Sequence, residues 1–321
     1  MLVEAEILII IGFFLLIKGA DYLVDGSVGI AKRFHIPEIV IGLTIVSIGT
    51  SMPELIVSIT SAFSGHSDIA MGNVVGSNIC NLLLILGVAA MLQPIILKKE
   101  TRLIEVPMCL VTMGIFYFIC NNGQNVTRLD GIILVFLFAL FIIYTIVMAF
   151  KGEQFDKEEG IEETNTNEEQ GKFYTFKNIF YIILGIFMLK LGGDFTVDNA
   201  VKIAEFFGLS EKIISVTIVA VGTSLPELVT TVSAAIKKES DIAIGNIIGS
   251  NIFNMLLIIG VSALIKPITY NISYNMDMYI AMIAAFVLFL FAYIPPKNQM
   301  SRMNGIVYLL IYIIYMITLF V

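Results

Sequence analysis

Two carboxylates lie in stretches that are otherwise apolar, and each closes the same phrase: Gly49-Thr50-Ser51-Met52-Pro53-Glu54 and Gly222-Thr223-Ser224-Leu225-Pro226-Glu227. Proline has no amide hydrogen, and its ring crowds the carbonyl one turn earlier. Each phrase therefore reads as a break in a helix. The break frees carbonyls near Ser47, Gly49 and Thr50 in the first copy and near Ala220, Gly222 and Thr223 in the second. Glu54 follows Thr50 by one helical turn and shares its face, as Glu227 does with Thr223. If the copies meet, Glu54, Glu227, Thr50, Ser51, Thr223, Ser224 and the freed carbonyls form an all-oxygen set. Hard cations such as Ca²⁺ take about six to eight oxygens, carboxylates among them, whereas softer metals select sulfur or imidazole.

A second duplicated motif supplies a facing wall. Gly72-Asn73-Val74-Val75-Gly76-Ser77-Asn78-Ile79-Cys80-Asn81 is echoed by Gly245-Asn246-Ile247-Ile248-Gly249-Ser250-Asn251-Ile252-Phe253-Asn254. Ser77 and Asn81 share one helical face, as do Ser250 and Asn254. A single copy would read as small-residue packing with polar glue between helices. Duplicated opposite a broken glutamate helix, the four side chains read as further oxygen ligands. No Lys or Arg lies within 39–63 or 213–236, so the glutamates have no countercharge on their own helices and a cation is their natural partner, with a proton as the other candidate.

These residues must be positioned by membrane helices. The 321-residue chain is 58% hydrophobic and 14% charged, with a mean hydropathy of +0.92, which excludes an ordinary soluble domain. Runs of roughly 20 apolar residues mark spans, and ten are expected, near 5–24, 38–63, 69–93, 103–121, 130–150, 176–196, 211–236, 242–265, 277–294 and 304–321. A constant offset of 173 residues maps Gly12 onto Gly185, Gly49 onto Gly222 and Pro94 onto Pro267. Five spans per copy is an odd number, so the copies enter the membrane from opposite sides. The fold class expected is an all-α integral membrane protein of ten transmembrane helices arranged as two inverted five-helix repeats. The repeats are 1–150, with its motif at about 39–94, and 173–321, with its motif at about 212–267. An acidic linker, 151–172, joins them.

Lys and Arg divide thirteen to four between alternate loops, with Lys32, Arg33, Lys98, Lys99, Lys237 and Lys238 on the richer side. The positive-inside rule makes that side cytoplasmic, so both termini are expected outside and the linker inside. The linker, which carries most of the excess negative charge in a net of −7, reads as a solvated tether without calcium-loop spacing. Asp21, Asp25, Asp194 and Asp198 read as helix-end residues paired beside Lys18 and Lys190. The repeated Ser67-Asp68 and Ser240-Asp241 read as helix N-caps. Cys80, Cys109 and Cys120 suggest neither a disulfide framework nor a metal site. No phosphate loop, metal hydrolase or nucleophile–base pattern supports an enzyme, and no cofactor or nucleic-acid partner is expected.

At these motifs the chain resembles the calcium/cation antiporter superfamily, and within it the sodium/calcium exchangers, whose two alpha-repeats carry G-T-S-x-P-E and G-N-x-x-G-S-N-x-x-N patterns. The resemblance spans both signature regions and the ten-span plan. It implies that Glu54 and Glu227 bind Ca²⁺ and also serve Na⁺, with Thr50, Ser51, Thr223, Ser224, Ser77, Asn81, Ser250 and Asn254 as flanking ligands. The Ala220 carbonyl would serve a sodium site, with Ser47 opposite. The function implied is antiport of Na⁺ for Ca²⁺ across the cell membrane by a monomer in the lipid bilayer, extruding Ca²⁺. The first and sixth spans, with Gly12, Gly19, Gly185 and Gly192, would slide over the rest. Proton/calcium exchangers typically carry G-N-x-x-E on the glutamate helix, and potassium-dependent exchangers place an aspartate where this chain has Asn254. These two and a cation channel are the alternatives.

Overall fold

The computed structural model describes residues 2–64, 67–158, 168–207, 220–295 and 298–320. It is almost wholly helical. Among the described residues seven helices are long and apolar enough to cross a membrane, and eight if the bent pair Glu38–Thr50 and Met52–Ser64 is one span. This count falls short of the ten expected for identifiable reasons. The expected span 211–236 lies partly outside the described residues and contributes the short helix Leu225–Ile236, and the last is the short apolar helix Arg302–Thr318. Part of the linker and His66 also lie outside the described residues.

Burial sorts the helices into layers. In the spans Ile69–Leu92 and Ser240–Ile265, 78% and 83% of the most apolar stretch is buried, against 17% in Arg128–Phe150. The two motif-bearing helices are thus the centre of the molecule. Arg128–Phe150 instead turns side chains such as Phe136 and Phe150 outward, as a lipid-facing helix does. Short strands tie the loops of the two halves together: Ile95–Ile96 pairs antiparallel with Gln299–Met300, and Asn125–Val126 with Ile268–Thr269.

The first helix, Leu2–Arg33, and the long helix Glu168–Phe206 both extend beyond their expected spans. They lie against one another in opposite directions, backbone to backbone. A Cβ on Gly12 would meet the Gly192 carbonyl at 2.9 Å, and one on Gly192 would meet that of Gly12 at 2.7 Å. Gly19 and Gly185 repeat the arrangement at 2.9 and 2.7 Å. Only glycine permits this approach, and tight packing is what holds apolar helices together where no hydrophobic effect operates.

Two expectations for the polar ends need correcting. Asp21 and Asp25 do not pair with Lys18 on their own helix. Lys237, at the end of Leu225–Ile236, reaches across to Asp21 (3.2 Å) and Asp25 (2.8 Å), and the Ser233 hydroxyl donates to Asp21 (3.0 Å). The ends of these helices meet in space, which local spacing does not reveal. Lys190 and Asp194 do pair, at 2.7 Å. Nor does Ser240-Asp241 cap its helix: Ser240 Oγ accepts the Ile96 amide (3.1 Å), and Asp241 pairs with Lys98 (2.6 Å). Burial alone would lower Lys98, and the hydrogen bond and charge of Asp241 more than reverse this, leaving it above its ordinary value. The side chains of Ser67 and Asp68 lie outside the described residues.

Lys237→Met leaves Asp21 and Asp25 without their shared cation. The expected loss is about 0.5–1 kcal/mol of stability, smaller at high salt, because the groups are partly exposed. Thermal unfolding at low and high ionic strength measures it.

Candidate functional site

The helix breaks lie where the prolines put them. Ser51, between Ser47–Thr50 and Met52–Ser64, has φ −84° and ψ 11°. Ser224, between Ala220–Thr223 and Leu225–Ile236, has φ −90° and ψ 8°. Both occupy the sparsely populated bridge between helix and strand conformations, where site residues are often found. At the first break the chain bends by 50°. Because Pro53 and Pro226 donate nothing, the carbonyls of Gly49 and Gly222 lack their usual intrahelical partners.

The turn beyond each break buries its glutamate; Glu54 and Glu227 are each 1% exposed. The serines then hold the glutamates crosswise. Ser51 Oγ donates to Glu227 Oε1 (2.7 Å) and lies 3.0 Å from the Ser250 hydroxyl. Ser224 Oγ donates to Glu54 Oε1 (3.3 Å) and lies 3.3 Å from the Ser77 hydroxyl. Every bond has its counterpart at the offset of the repeat, so the halves meet about an approximate two-fold axis. A second tier obeys the same rule. Asn81 Nδ2 donates to Asn251 Oδ1, and Asn254 Nδ2 to Asn78 Oδ1, both at 3.0 Å. A third tier supports the glutamate helices: Asn73 donates to Ser58 Oγ (3.1 Å) and to the Glu54 carbonyl (3.3 Å), while Asn246 donates to Thr231 Oγ1 (2.9 Å).

What the network leaves over defines its chemistry. Glu54 Oε2, Glu227 Oε2, Asn81 Oδ1 and Asn254 Oδ1 are buried and have no hydrogen-bond partner. Buried oxygens without donors are costly, and a buried carboxylate more so without a countercharge. Among the described residues neither glutamate joins an ion pair, and no group of three or more His, Cys, Asp and Glu gathers. The unsatisfied groups include four oxygen acceptors from four helical segments, of a type suited to a hard cation. With two carboxylates rather than a larger acidic cage, the donor set suits an ion that must also leave.

The remaining expected residues fall as follows. Thr50 is buried and its hydroxyl is shared between Asn246 Oδ1 (3.1 Å) and the Ser47 carbonyl (3.3 Å). Ser47 turns its hydroxyl to the Leu43 carbonyl (2.8 Å), while its own carbonyl also accepts the Ser51 amide (3.0 Å). Thr223 is half-buried at the end of Ala220–Thr223, and Ala220 begins that segment. Asn73, Asn246, Asn78, Asn251, Ser58 and Thr231 join the network although the motif gave them no role. Their signal was present, since each pair recurs at the repeat offset with its hydrogen-bonding character intact. Turns of wider π-helix, Cys80–Ile85 and Asn254–Ile258, begin at or beside Asn81 and Asn254, the two asparagines expected as ligands. Such turns are frequent at functional sites.

Known proteins resemble this chain over most of its length. A family model described as sodium/calcium exchanger protein matches residues 5–147 and 177–321. The sodium/calcium exchanger MaX1 of Methanosarcina acetivorans is 33% identical over 352 residues, covering 98% of each chain. The inner membrane protein YrbG of Escherichia coli is 36% identical over 290 residues, 88% of this chain and 87% of its own. A solved structure of the sodium-calcium exchanger NCX_Mj, soaked with Na⁺ and without Ca²⁺, superposes with a TM-score of 0.86 at 30% identity, covering 99% of this chain and all of its own.

Glu54→Gln and Glu227→Gln each remove a buried charge. In cation-free buffer each variant is expected to be more stable than the native protein, by about 1 kcal/mol or more. Each should also lose most of the stabilisation that added Ca²⁺ confers. Thermal unfolding with and without Ca²⁺ checks both effects, and a variant that is less stable without cations but still responds to Ca²⁺ would contradict the assignment.

Proposed function

The chain belongs to the sodium/calcium exchanger family, and on that premise we propose that it exchanges Na⁺ for Ca²⁺ at the crossing of its two broken helices. Transport of cations, Ca²⁺ included, by antiport is what the family does. Within it we assign Glu54 and Glu227 as the charged ligands. Thr50, Ser51, Ser77, Asn81, Thr223, Ser224, Ser250 and Asn254 are their neutral partners, and the Ala220 carbonyl, with Ser47 opposite, is assigned to a sodium site, although the Ser47 carbonyl itself already accepts the Ser51 amide and the Thr50 hydroxyl. The observation that carries this reading is the pair of buried carboxylate oxygens, Glu54 Oε2 and Glu227 Oε2, left without donors at one centre.

Charge arithmetic explains why the ions compete. One Ca²⁺ neutralises two carboxylates, and so do two Na⁺; a third Na⁺ leaves the centre net positive and makes exchange electrogenic. Neither ion is held by an excess of charge, so each can be displaced by the other. A proton on each glutamate would also remove the uncompensated buried charge, which makes proton coupling the second reading.

The architecture assigned is two inverted five-span repeats, 1–150 and 173–321, joined by the acidic segment 151–172, with both termini outside and export of Ca²⁺ as the direction. The reciprocal hydrogen bonds and the opposed packing of Leu2–Arg33 on Glu168–Phe206 support the inverted repeats, and the sidedness rests on the division of Lys and Arg between the loops. That helix pair lies beside the broken helices and is held together by close glycine-backbone packing, so that it would move as one unit over the rest. Its movement would open the site to one side and then the other.

Uptake of radiolabelled Ca²⁺ into Na⁺-loaded proteoliposomes tests the reading, with K⁺-loaded and pH-gradient vesicles in parallel. Uptake is expected only with the outward Na⁺ gradient, and is expected to vanish in the Glu54→Gln, Glu227→Gln double variant. Uptake that follows the pH gradient would establish the proton-coupled reading, and uptake needing no counter-ion would indicate a channel. Gly19→Leu, which forces a side chain against Gly185, is expected to slow exchange about tenfold or more while Ca²⁺ affinity changes less than about threefold. Equal losses in both would count against the sliding helix pair.

A further inference from the structure

Asn78 and Asn251 belong to the duplicated motif, yet neither is a ligand in the assignment above. Both are buried, 2% and 0% exposed, on the two central helices. Their side-chain oxygens point across the molecular centre: Asn251 Oδ1 accepts Asn81 Nδ2, and Asn78 Oδ1 accepts Asn254 Nδ2, each at 3.0 Å. A carboxamide has a donor edge and an acceptor edge. Once the donor edge of Asn81 is bound by Asn251, its oxygen is left on the other edge, and Asn81 Oδ1 is one of the buried atoms without a partner. Asn254 Oδ1 is left in the same way by Asn78.

We propose that Asn251 and Asn78 are positioning residues, each presenting an acceptor that turns the amide oxygen of Asn81 or Asn254 toward the ions. Without that acceptor the carboxamide is free to turn over, and its NH₂ group would face the site with the wrong polarity for a cation. The arrangement is crosswise, so each central helix carries one ligand asparagine and the acceptor that orients the ligand on the other. Asn251 Nδ2 finds no oxygen to donate to, its neighbour being the Cys109 thiol, so the oxygen is what this side chain contributes to the network. Keeping such an unsatisfied group buried carries a cost that packing alone does not explain. The inference rests on the reading of Asn81 and Asn254 as ion ligands and deepens it by separating the groups that touch the ion from those that aim them.

Isosteric variants of Asn251 separate aiming from packing. Leu removes the acceptor, whereas Asp keeps it and cannot present a donor. Binding of radiolabelled Ca²⁺ to the purified protein is expected to weaken about tenfold in Asn251→Leu, the worth of about one oriented hydrogen bond, and to stay within about threefold of native in Asn251→Asp. In transport the KM for Ca²⁺ should rise in Asn251→Leu while the maximal rate holds. In an Asn81→Ala background the Leu substitution should cost less than about twofold more, because there is no amide left to aim. A purely structural clamp predicts the reverse ranking, with a buried Asp at least as harmful as Leu, and additive losses; either result would overturn the proposal. An Asn81→Ala variant that binds Ca²⁺ like the native protein would overturn the ligand role of Asn81 and the proposal with it. The same comparison at Asn78 and Asn254 keeps the test decisive should Asn251→Leu fail to fold.

Discussion

The structure depends on holding two carboxylates in a buried interior where, among the described residues, no positive side chain neutralises them. At a low dielectric such a pair repels strongly and is poorly solvated, so the surroundings must supply hydrogen bonds without supplying charge. Serine does this: Ser51 and Ser224 each give one donor to the opposite glutamate and leave its second oxygen bare. A lysine in the same place would make a stable ion pair, and the two glutamates would then have no need of a transported ion. The absence of Lys and Arg from 39–63 and 213–236 is thus a functional property of the chain, as informative as the glutamates themselves.

The donors can reach the glutamates only if the helices carrying them are broken. A continuous helix would bond the Gly49 and Gly222 carbonyls internally and carry Glu54 and Glu227 along a straight axis. Pro53 and Pro226 prevent this, and Ser51 and Ser224 take up the bend. The breaks are tolerable because they are buried in protein, with Thr50, Ser51 and Ser224 each at most 1% exposed. The asparagines of the two central helices bond to one another across the molecular centre, and Asn81 Oδ1 and Asn254 Oδ1 are left in want of a partner together with Glu54 Oε2 and Glu227 Oε2.

Much of this was legible in the sequence, because the decisive residues act locally. Proline breaks its own helix wherever it sits, and the offset of 173 residues pairs each ligand with its counterpart without any knowledge of distance. What depended on tertiary partners was harder to read. Lys237 lies more than two hundred positions from Asp21 and Asp25, and Ser240 resembles a cap until the loop holding Ile96 is seen to donate to it. Asn78 and Asn251 look like interhelical glue because a carboxamide spacing pattern does not say which edge faces the neighbour. The lengths of Leu2–Arg33 and Glu168–Phe206 were underestimated for a related reason. Charged residues such as Asp21 and Lys190 suggested helix ends, but each is neutralised by a partner and the helices run on.

Duplication also leaves a measurable asymmetry. The Ser51–Glu227 bond is 2.7 Å and its counterpart Ser224–Glu54 is 3.3 Å, and Cys80 stands where the other half has Phe253. At the periphery Lys237 ties the first helix to the neighbouring helix Leu225–Ile236, whereas the matching position at the repeat offset is Ser64, and Asp194, the counterpart of Asp21, is neutralised within its own helix by Lys190. Under the proposed inverted repeat, two perfectly equivalent halves would give inward-facing and outward-facing forms of equal energy. Here the scaffold of prolines, glycines and asparagines is held in common while the charged groups at the helix ends differ. The chemistry of the centre is therefore shared by both halves, and under that proposal the balance between the two faces would be set where the copies have diverged.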